Sequence, residues 1–332
     1  MKTNKQQTGL NSGNFRAIKR RNFLGVITLL TAAVFLTPAS AQQPSPAKAT
    51  SPKVWFVTGS NRGIGLGIAR AALQAGDRVV ATARRPEQVR AALPGYGDNL
   101  LVVALDITRG DQIEAAVKAA KEKFGRIDVL VNNAGYGQLG WFENNSEEQI
   151  RKQFDTNLFG TMNVARAVLP LMRQQRSGHV ITISSIAGLT VTAGSSIYGS
   201  TKFALEGWME GLAEEIKPLK IFSTLVEPGY FRTDFLDPTS VSWGALNIDD
   251  YAVESKKGRE GAEKVNHKQI GDPARLGLAV VKIAAMKTPL LRFAAGSDAY
   301  DVMIKKAREL HDNAEQFREL SGSTNGTWPD AK

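Results

Sequence analysis

Short apolar runs alternate regularly with longer segments of helical periodicity from Lys53 onward. Runs rich in β-branched residues predict strands at 53–59, 78–84, 100–106, 128–134, 179–185, 221–228 and 290–296. Between them, apolar residues recur at helical spacing over 63–75, 111–124, 147–176, 198–216 and 272–287. Several of these strands are apolar almost throughout, as strands covered on both faces are. The pattern predicts an α/β fold, a doubly wound domain whose parallel sheet is flanked by helices and binds ligands beyond the carboxyl ends of its strands.

The first 52 residues have a different character. Residues 1–41 contain six basic residues and no acidic one, and the apolar run Phe23–Leu36 is followed by an A-x-A site at Ala39 and Ala41. This order is typical of a secretory signal peptide cleaved near Ala41/Gln42. This run is 14 residues long, shorter than the roughly 20 that a membrane-spanning helix needs, so we expect no stable membrane span in the mature protein.

The segment "KRRNFLG" at 19–25 resembles a twin-arginine export signal, which serves proteins that fold before export. An ordinary secretion signal or an uncleaved basic tail are the alternatives. Residues 42–52, rich in Pro, Ser and Ala, predict a flexible linker. We therefore expect a periplasmic protein, with a cytoplasmic one as the alternative, and a folded domain over 53–325.

The positive net charge is concentrated in the same N-terminal segment. The whole chain carries +10, and the six basic residues of 1–41 leave only +4 for the remainder. No basic stripe interleaved with aromatic residues follows residue 50, so we expect no nucleic-acid partner. We expect no metal ligands. The chain has no cysteine, which is compatible with an oxidising compartment.

The first predicted strand is followed by the glycine-rich stretch "TGSNRGIGLG" and then by a predicted helix. Glycine lets the backbone approach a pyrophosphate closely, and the N–H groups at a helix start bind anions. Taken alone, such a turn could be an ordinary tight turn. The order of strand, turn and helix favours a dinucleotide site formed by Gly59, Asn61, Arg62, Gly63, Ile64 and Gly65.

The second predicted strand ends in Ala83, Arg84 and Arg85. At this point a site for NAD usually offers a carboxylate to the ribose hydroxyls, whereas arginine accommodates the additional phosphate of NADP. Guanidinium groups suit a phosphate, and Arg62 in the glycine turn offers a third. The sequence therefore predicts NADP(H), unless Arg84 and Arg85 are solvated surface charges.

Tyr198 and Lys202 lie four residues apart in a predicted helix, and so share one face. A tyrosine that works as an acid or base at neutral pH needs its phenolate stabilised, and a neighbouring ammonium group has the right charge. The alternative is a packed tyrosine beside a solvated lysine. Elsewhere, polar residues end the predicted strands at Ser184 and Ser185, and Asn157 lies in a predicted helix.

Together the stretches 58–65, "NNAG" at 132–135, Asn157, Ser185, "YGSTK" at 198–202 and "PG" at 228–229 resemble the short-chain dehydrogenase/reductase family, over about residues 53–300. The resemblance implies a Rossmann-type domain with a mostly parallel seven-stranded sheet. It also implies a catalytic set of Asn157, Ser185, Tyr198 and Lys202. Ser185 precedes Tyr198 by 13 residues, the separation in the family pattern, and is therefore preferred to Ser184.

The resemblance further implies the role of each residue. Tyr198 exchanges a proton with the substrate oxygen, Ser185 holds that oxygen, Lys202 binds the nicotinamide ribose and Asn157 orders a water. The implied cofactor contacts, besides the glycine turn and the arginines, are Asp106, Ile107, Asn133, Ala134, Gly135, Tyr198, Lys202, Pro228, Gly229 and Thr233. A homodimer or homotetramer is also implied.

The predicted activity is hydride transfer between NADP(H) and a small carbonyl or alcohol substrate. A non-catalytic dinucleotide-binding regulator is the alternative, because a fold does not fix a function. Residues 232–270, after the sixth predicted strand, are the expected substrate lid. In that segment Trp243, Leu246, Tyr251 and Val253 could line an apolar pocket or cover the core.

Overall fold

The computed structural model describes residues 51–326 and residue 328, and this part of the chain contains two parallel sheets. The strands are β1 (Val54–Val57), β2 (Arg78–Ala83), β3 (Leu100–Ala104), β4 (Val129–Asn132), β5 (Gly137–Leu139), β6 (Gly178–Ile183), β7 (Ile221–Pro228), β8 (Val241–Trp243) and β9 (Arg292–Ala295). Seven of them form the central sheet in the order β3-β2-β1-β4-β6-β7-β9, and every pairing is parallel. The predicted seven-stranded α/β fold is confirmed.

The strand order places the carboxyl ends of the central strands side by side. Val57 of β1 pairs with Ala81 of β2 on one side and with Val131 of β4 on the other. Chain direction across the sheet reverses at β1, which is the switch point where ligands bind in such sheets. The glycine turn after β1 and the Asn-Ala-Gly stretch after β4 therefore meet at one edge.

Helices cover both faces of the sheet. They are α1 (Gly63–Gln74), α2 (Pro86–Ala92), α3 (Gly110–Phe124), α4 (Glu147–Phe154), α5 (Thr161–Gln175), α6 (Ser196–Ile216), α7 (Ala252–Val265), α8 (Pro273–Ala284), α9 (Ser297–Gln316) and α10 (Arg318–Ser323). One apolar core includes side chains of α1 and α8, and the other includes side chains of α3, α5 and α6. Helices α1 and α8 touch through Gly67 and Gly277, where a Cβ atom on either would meet the opposite backbone at 2.3 Å.

The predicted helix over 147–176 is interrupted. Helix α4 ends at Phe154, a π-helical turn covers Asp155–Gly160, and α5 resumes at Thr161. π turns are rare and usually cover a single turn inside a longer helix, so the sequence pattern did not reveal this one. The small sheet of β5 and β8 and the helices α2, α7, α9 and α10 were also not predicted from periodicity.

The N-terminal predictions lie outside the described residues: the signal peptide at 1–41 and the linker through residue 50. Among the helices that the structure describes, none combines the length and the apolar character needed to cross a bilayer.

Candidate active site

A cavity of about 1360 Å³ opens at the carboxyl ends of the central strands. It brings together nearly all of the residues that the sequence predicted for cofactor and substrate. Those that line it are Gly59, Asn61, Arg62, Gly63, Ile64, Arg84, Arg85, Asp106, Ile107, Asn133, Ala134, Gly135, Ser185, Tyr198, Lys202, Pro228, Gly229 and Thr233. The predicted residues Gly65 and Asn157 lie behind its wall instead.

The glycine turn has the close packing and the backbone conformation that only glycine allows. Gly59 and Gly63 have φ of +66° and +56°, where other side chains are strained. The Asn133 amide donates to the carbonyl oxygens of Thr58 and Gly59 at 2.9 and 3.1 Å, which fixes the turn against β4. Helix α1 then begins at Gly63 with no side-chain cap from Arg62, so its first N–H groups remain available for an anion.

We expect Gly65→Ala to destabilise the protein, because its Cβ would lie 2.3 Å from Gly59 O and 2.4 Å from Asn133 Nδ2. Overpacking of this kind costs about 1–3 kcal/mol and would open the turn. The matched control is Gly211→Ala in α6, where a Cβ meets no atom within 4 Å. Because alanine has the higher helix propensity, we expect the control substitution to stabilise the folded protein by about 0.5–1 kcal/mol. Urea unfolding measures both, and equal stability of the two variants would contradict the close packing described for the turn.

Three arginines lie near the end of β2. Arg84 and Arg85 are exposed and line the cavity directly after the buried Ala83. Arg62 also lines the cavity, but its guanidinium group donates to Thr239 Oγ1 at 3.1 Å and so contacts the predicted lid region. Arg84 and Arg85 therefore present two exposed guanidinium groups at this end of the cavity.

The remaining predicted cofactor residues surround the turn. Asp106 follows β3, and its Oδ1 accepts from the Thr108 hydroxyl at 2.7 Å and from the Thr108 N–H at 3.0 Å. Thr233 lies over the glycine turn, since its Cβ would be 3.4 Å from a Cβ at Gly63. Gly229 donates to Ala295 O at 3.0 Å, which holds the "PG" segment at the end of β7.

Tyr198, Lys202 and Ser185 converge on one wall of the cavity. Tyr198 is half-buried near the start of α6, with its ring centroid 5.5 Å from that of Phe235. Lys202 follows one turn later, its Nζ lying 5.6 Å from the Tyr198 ring centroid and donating to Ile183 O at 2.9 Å. Ser185 follows β6, and its Oγ accepts from the Ala187 N–H at 3.0 Å.

Burial has the largest effect on the pKa values of Tyr198 and Lys202. It raises the pKa of Tyr198 to about 12, while hydrogen bonding with Ser185 acts in the opposite direction. It lowers the pKa of Lys202 to about 8, while the charge of Glu206 opposes that shift. The expectation that Lys202 makes Tyr198 more acidic is therefore not met in the protein alone, because desolvation of the phenolate is the larger effect. At neutral pH the phenol holds its proton.

Asn157 lies one layer behind the cavity, in the π-helical turn. It is 1% exposed, its Oδ1 accepts from the Tyr136 N–H at 3.1 Å, and its Nδ2 donates to Tyr136 O at 2.9 Å. This pair of bonds fixes the segment that leads from β4 to β5. π turns occur frequently at functional sites, and the turn here holds Asn157 next to Gly135.

The fold and the convergent polar groups agree with a comparison against known families. Residues 53–241 match the family model described as short chain dehydrogenase. The chain belongs to the short-chain dehydrogenase family. The matched segment runs from β1 to β8 and contains the glycine turn, Ser185, Tyr198 and Lys202.

Individual relatives of this short-chain dehydrogenase cover most of its length. "Oxidoreductase BOA17" of Botryotinia fuckeliana is 40% identical over 81% of this chain and 98% of its own. A 3-ketodihydrosphingosine reductase of Bacteroides thetaiotaomicron is 35% identical over 80% of this chain and 96% of its own. A crystal structure of a short-chain dehydrogenase from Streptomyces avermitilis superimposes with a TM-score of 0.77 at 37% identity, covering 83% of this chain and all of its own. Structures of similar fold include complexes with NAD, NADP+ and NADH.

The expected lid of this short-chain dehydrogenase contains β8 and α7. Trp243, Leu246, Tyr251 and Val253 do not line the cavity. Tyr251 stacks on Trp141 at a centroid distance of 5.2 Å, and Leu246 and Val253 are exposed. The apolar side chains that reach the cavity from this region are instead Phe235 and Leu236, together with Val241.

Two features of the dehydrogenase site had no signal in the sequence. Thr58 accepts the backbone N–H groups of Asn133 and Ala134 at 2.9 and 3.0 Å, which joins the two cofactor segments. The Phe235 ring beside Tyr198 comes from a loop distant in sequence. Hydroxyls and single aromatic residues occur in many loops, so only the tertiary structure shows these contacts.

Proposed function

We propose that this short-chain dehydrogenase is an NADP(H)-dependent oxidoreductase that reduces a carbonyl compound to an alcohol, with Tyr198 as general acid. The observation that carries the proposal is the single cavity whose walls hold an uncapped helix start and two exposed arginines at one end and Tyr198, Ser185 and Lys202 at the other. A dinucleotide is the kind of ligand that can contact both ends. The 3-keto reductase among the relatives also acts, by its name, on a ketone.

The residues fit a nicotinamide dinucleotide. Gly59 and Gly63 adopt positive φ without strain, and the turn they form leaves the first N–H groups of α1 uncapped for a pyrophosphate. Arg84 and Arg85 would hold the additional phosphate of NADP, and Asp106 would face the adenine. Lys202 would hold the nicotinamide ribose, and Thr233 and Gly229 would lie on the nicotinamide side. When bound, the reduced cofactor supplies a hydride to the carbonyl carbon.

The protein's part in the reaction is to hold the substrate oxygen and to protonate it. Ser185 donates a hydrogen bond to that oxygen and stabilises the negative charge that develops there. Tyr198 then transfers its phenolic proton to the oxygen. In the protein alone the pKa of Tyr198 is about 12, so the phenol holds the proton that it would transfer. Asn157 would order a water that connects Lys202 with solvent for reprotonation.

The direct test incubates the full-length protein with NADPH and a set of carbonyl compounds, such as a long-chain 3-keto compound, retinal, a steroid ketone and a simple aromatic aldehyde. Loss of the reduced cofactor's absorbance is followed for each. The proposal expects at least one compound to be reduced, and faster with NADPH than with NADH. Equal or faster turnover with NADH would overturn the cofactor assignment.

We also propose that the protein is exported through the twin-arginine route and assembles as a homodimer or homotetramer. Both proposals rest on the sequence: the signal-like segment at 1–41 and the family resemblance. Cell fractionation with sequencing of the mature N-terminus tests the first. A periplasmic chain that begins at Gln42 is the expected result, whereas a cytoplasmic chain with Met1 intact would contradict it. Light scattering after gel filtration tests the second, and a monomer would contradict it.

A further inference from the structure

Two glutamates lie in the protein interior behind Lys202. Glu206 follows Lys202 by one turn of α6 and is 5% exposed, and Glu227, the residue before Pro228 in β7, is fully buried. Arg292 of β9 contacts both of them: its Nε lies 3.2 Å from Glu206 Oε2 and 3.6 Å from Glu227 Oε1. Buried carboxylates are rare unless they are paired, and here one guanidinium nitrogen faces two of them.

The hydrogen bonding of this pair is incomplete if both glutamates are ionised. Glu206 Oε1 and both carboxyl oxygens of Glu227 then have no donor among the residues that the structure describes. The two carboxyl groups nevertheless lie close to each other, because both are within 3.6 Å of the same Arg292 Nε. One proton between them turns an acceptor into a donor, so that one carboxyl O–H donates to the other carboxylate. It also removes the repulsion between two adjacent negative charges.

The surroundings place this proton on Glu227. Burial raises the pKa of Glu206 as well, but Glu206 has the shorter contact with Arg292, which favours its charged form. Glu227 has only the longer contact with Arg292 and is completely removed from solvent. Burial, together with the charge of Glu206, raises the pKa of Glu227 to about 8.

We propose that Glu206 and Glu227 share one proton, held by Glu227, and that the charge left on Glu206 keeps Lys202 protonated beside Tyr198. Glu206 is then a positioning residue, because it acts through Lys202 and touches neither substrate nor cofactor. Burial disfavours the ammonium form of Lys202, and the charge of Glu206 opposes that effect. The kinetic consequence rests on the proposed reductase function, whereas the shared proton does not depend on turnover.

The groups that face the pair come from α6, β9 and the segment after β6. Lys202 and Glu210 lie on α6, Arg292 is in β9 and Ser184 follows β6. Glu210 binds the other side of the same guanidinium, its Oε2 lying 2.7 Å from Arg292 Nη2, and it is exposed. Glu210 therefore provides a matched control, since it is a carboxylate on the same arginine that lies away from the buried pair.

The kinetic test compares Glu206→Gln and Glu210→Gln in NADPH-dependent carbonyl reduction, as kcat/KM against pH. In the unmodified protein we expect activity to fall above about pH 8 as Lys202 loses its proton. The fall should move to lower pH in Glu206→Gln, stay in place in Glu210→Gln, and move less in Glu206→Asp, which keeps the charge. A uniform loss at all pH values in Glu206→Gln, with the profile unmoved, would show a merely structural role and overturn the proposal.

The shared proton is tested without turnover by carbon NMR of protein labelled at its glutamate carboxyl groups. One resonance should titrate far above the usual glutamate range and disappear in Glu227→Gln. If every glutamate titrates normally, the shared proton does not exist. If the resonance is found but no carbonyl is reduced, the reductase proposal fails while the shared proton stands.

Protein stability gives a second measurement of the same proton. The folded pKa of Glu227 is raised from the usual 4.5 to about 8, so between these pH values the folded protein holds a proton that the unfolded chain releases. Its contribution to the free energy of unfolding is complete below pH 4.5 and is lost as pH rises through about 8. Glu227→Gln, which cannot ionise, should decline less in stability over this window than the unmodified protein does. Parallel stability curves would contradict the assignment of the proton to Glu227.

Discussion

Replacing Tyr198 by Phe is expected to lower kcat/KM for carbonyl reduction by about a thousandfold while NADPH still binds. The change removes only the phenolic O–H, and general acid catalysis by a positioned side chain contributes roughly 10²–10⁴ in rate. The ring contact with Phe235 and the position of Lys202 are preserved, so the cavity should keep its shape. Steady-state kinetics and a fluorescence titration of NADPH measure the two quantities separately.

Tyr136→Phe is the matched comparison for this experiment. Tyr136 also lines the cavity, and its hydroxyl is buried without a hydrogen-bond partner among the described residues. Removing that hydroxyl should lower kcat/KM by at most about tenfold, which is the effect of losing a single hydrogen bond. Similar losses in Tyr136→Phe and Tyr198→Phe would mean that Tyr198 has no special part in proton transfer.

Replacing Arg84 and Arg85 together by Ser is expected to raise the KM for NADPH by at least about a hundredfold and to change the KM for NADH little. Each guanidinium–phosphate hydrogen bond contributes roughly 1.5–3 kcal/mol, and NADH lacks the phosphate that receives it. Both side chains are exposed at the cavity edge, so their loss should not disturb the core. Kinetics with both cofactors at one ionic strength measure the change in preference.

The control for that double variant is Arg90→Ser. Arg90 is an exposed arginine in the last turn of α2 and does not line the active-site cavity. Its removal changes the net charge without touching the proposed phosphate site, so NADPH should bind about as before. A loss as large as that of the double variant would trace the preference to overall charge rather than to the positions of Arg84 and Arg85.

The sequence was sufficient for the parts of the molecule that rest on local chemistry. Strands apolar on both faces that alternate with helical segments predict a parallel sheet covered by helices, and the turn at Gly59 and Gly63 needs conformations that glycine adopts without strain. Tyr198 and Lys202 lie on one helix, so their spacing alone places them together. These features were therefore predicted with the correct order and position.

The features that the sequence did not reveal depend on contacts between distant segments. The π-helical turn around Asn157 is stabilised by the backbone of Tyr136, and Glu206 and Glu227 meet only because β7 lies beside α6. The raised pKa of Tyr198 in the protein alone was not foreseen for the same reason: the sequence shows the nearby lysine but not the extent of burial. Periodicity and spacing describe one segment at a time, whereas burial results from all of them.

Transfer of deuterium from NADPH labelled at the reactive ring carbon tests the central claim most directly. The protein is incubated with this cofactor and with each of the carbonyl compounds named above, and any alcohol formed is analysed by mass spectrometry. The account predicts one deuterium on the former carbonyl carbon, and almost none when Tyr198→Phe is used for the same time. Tight binding of NADPH with no deuterium transferred to any carbonyl tested would contradict it and would favour a dinucleotide-binding regulator.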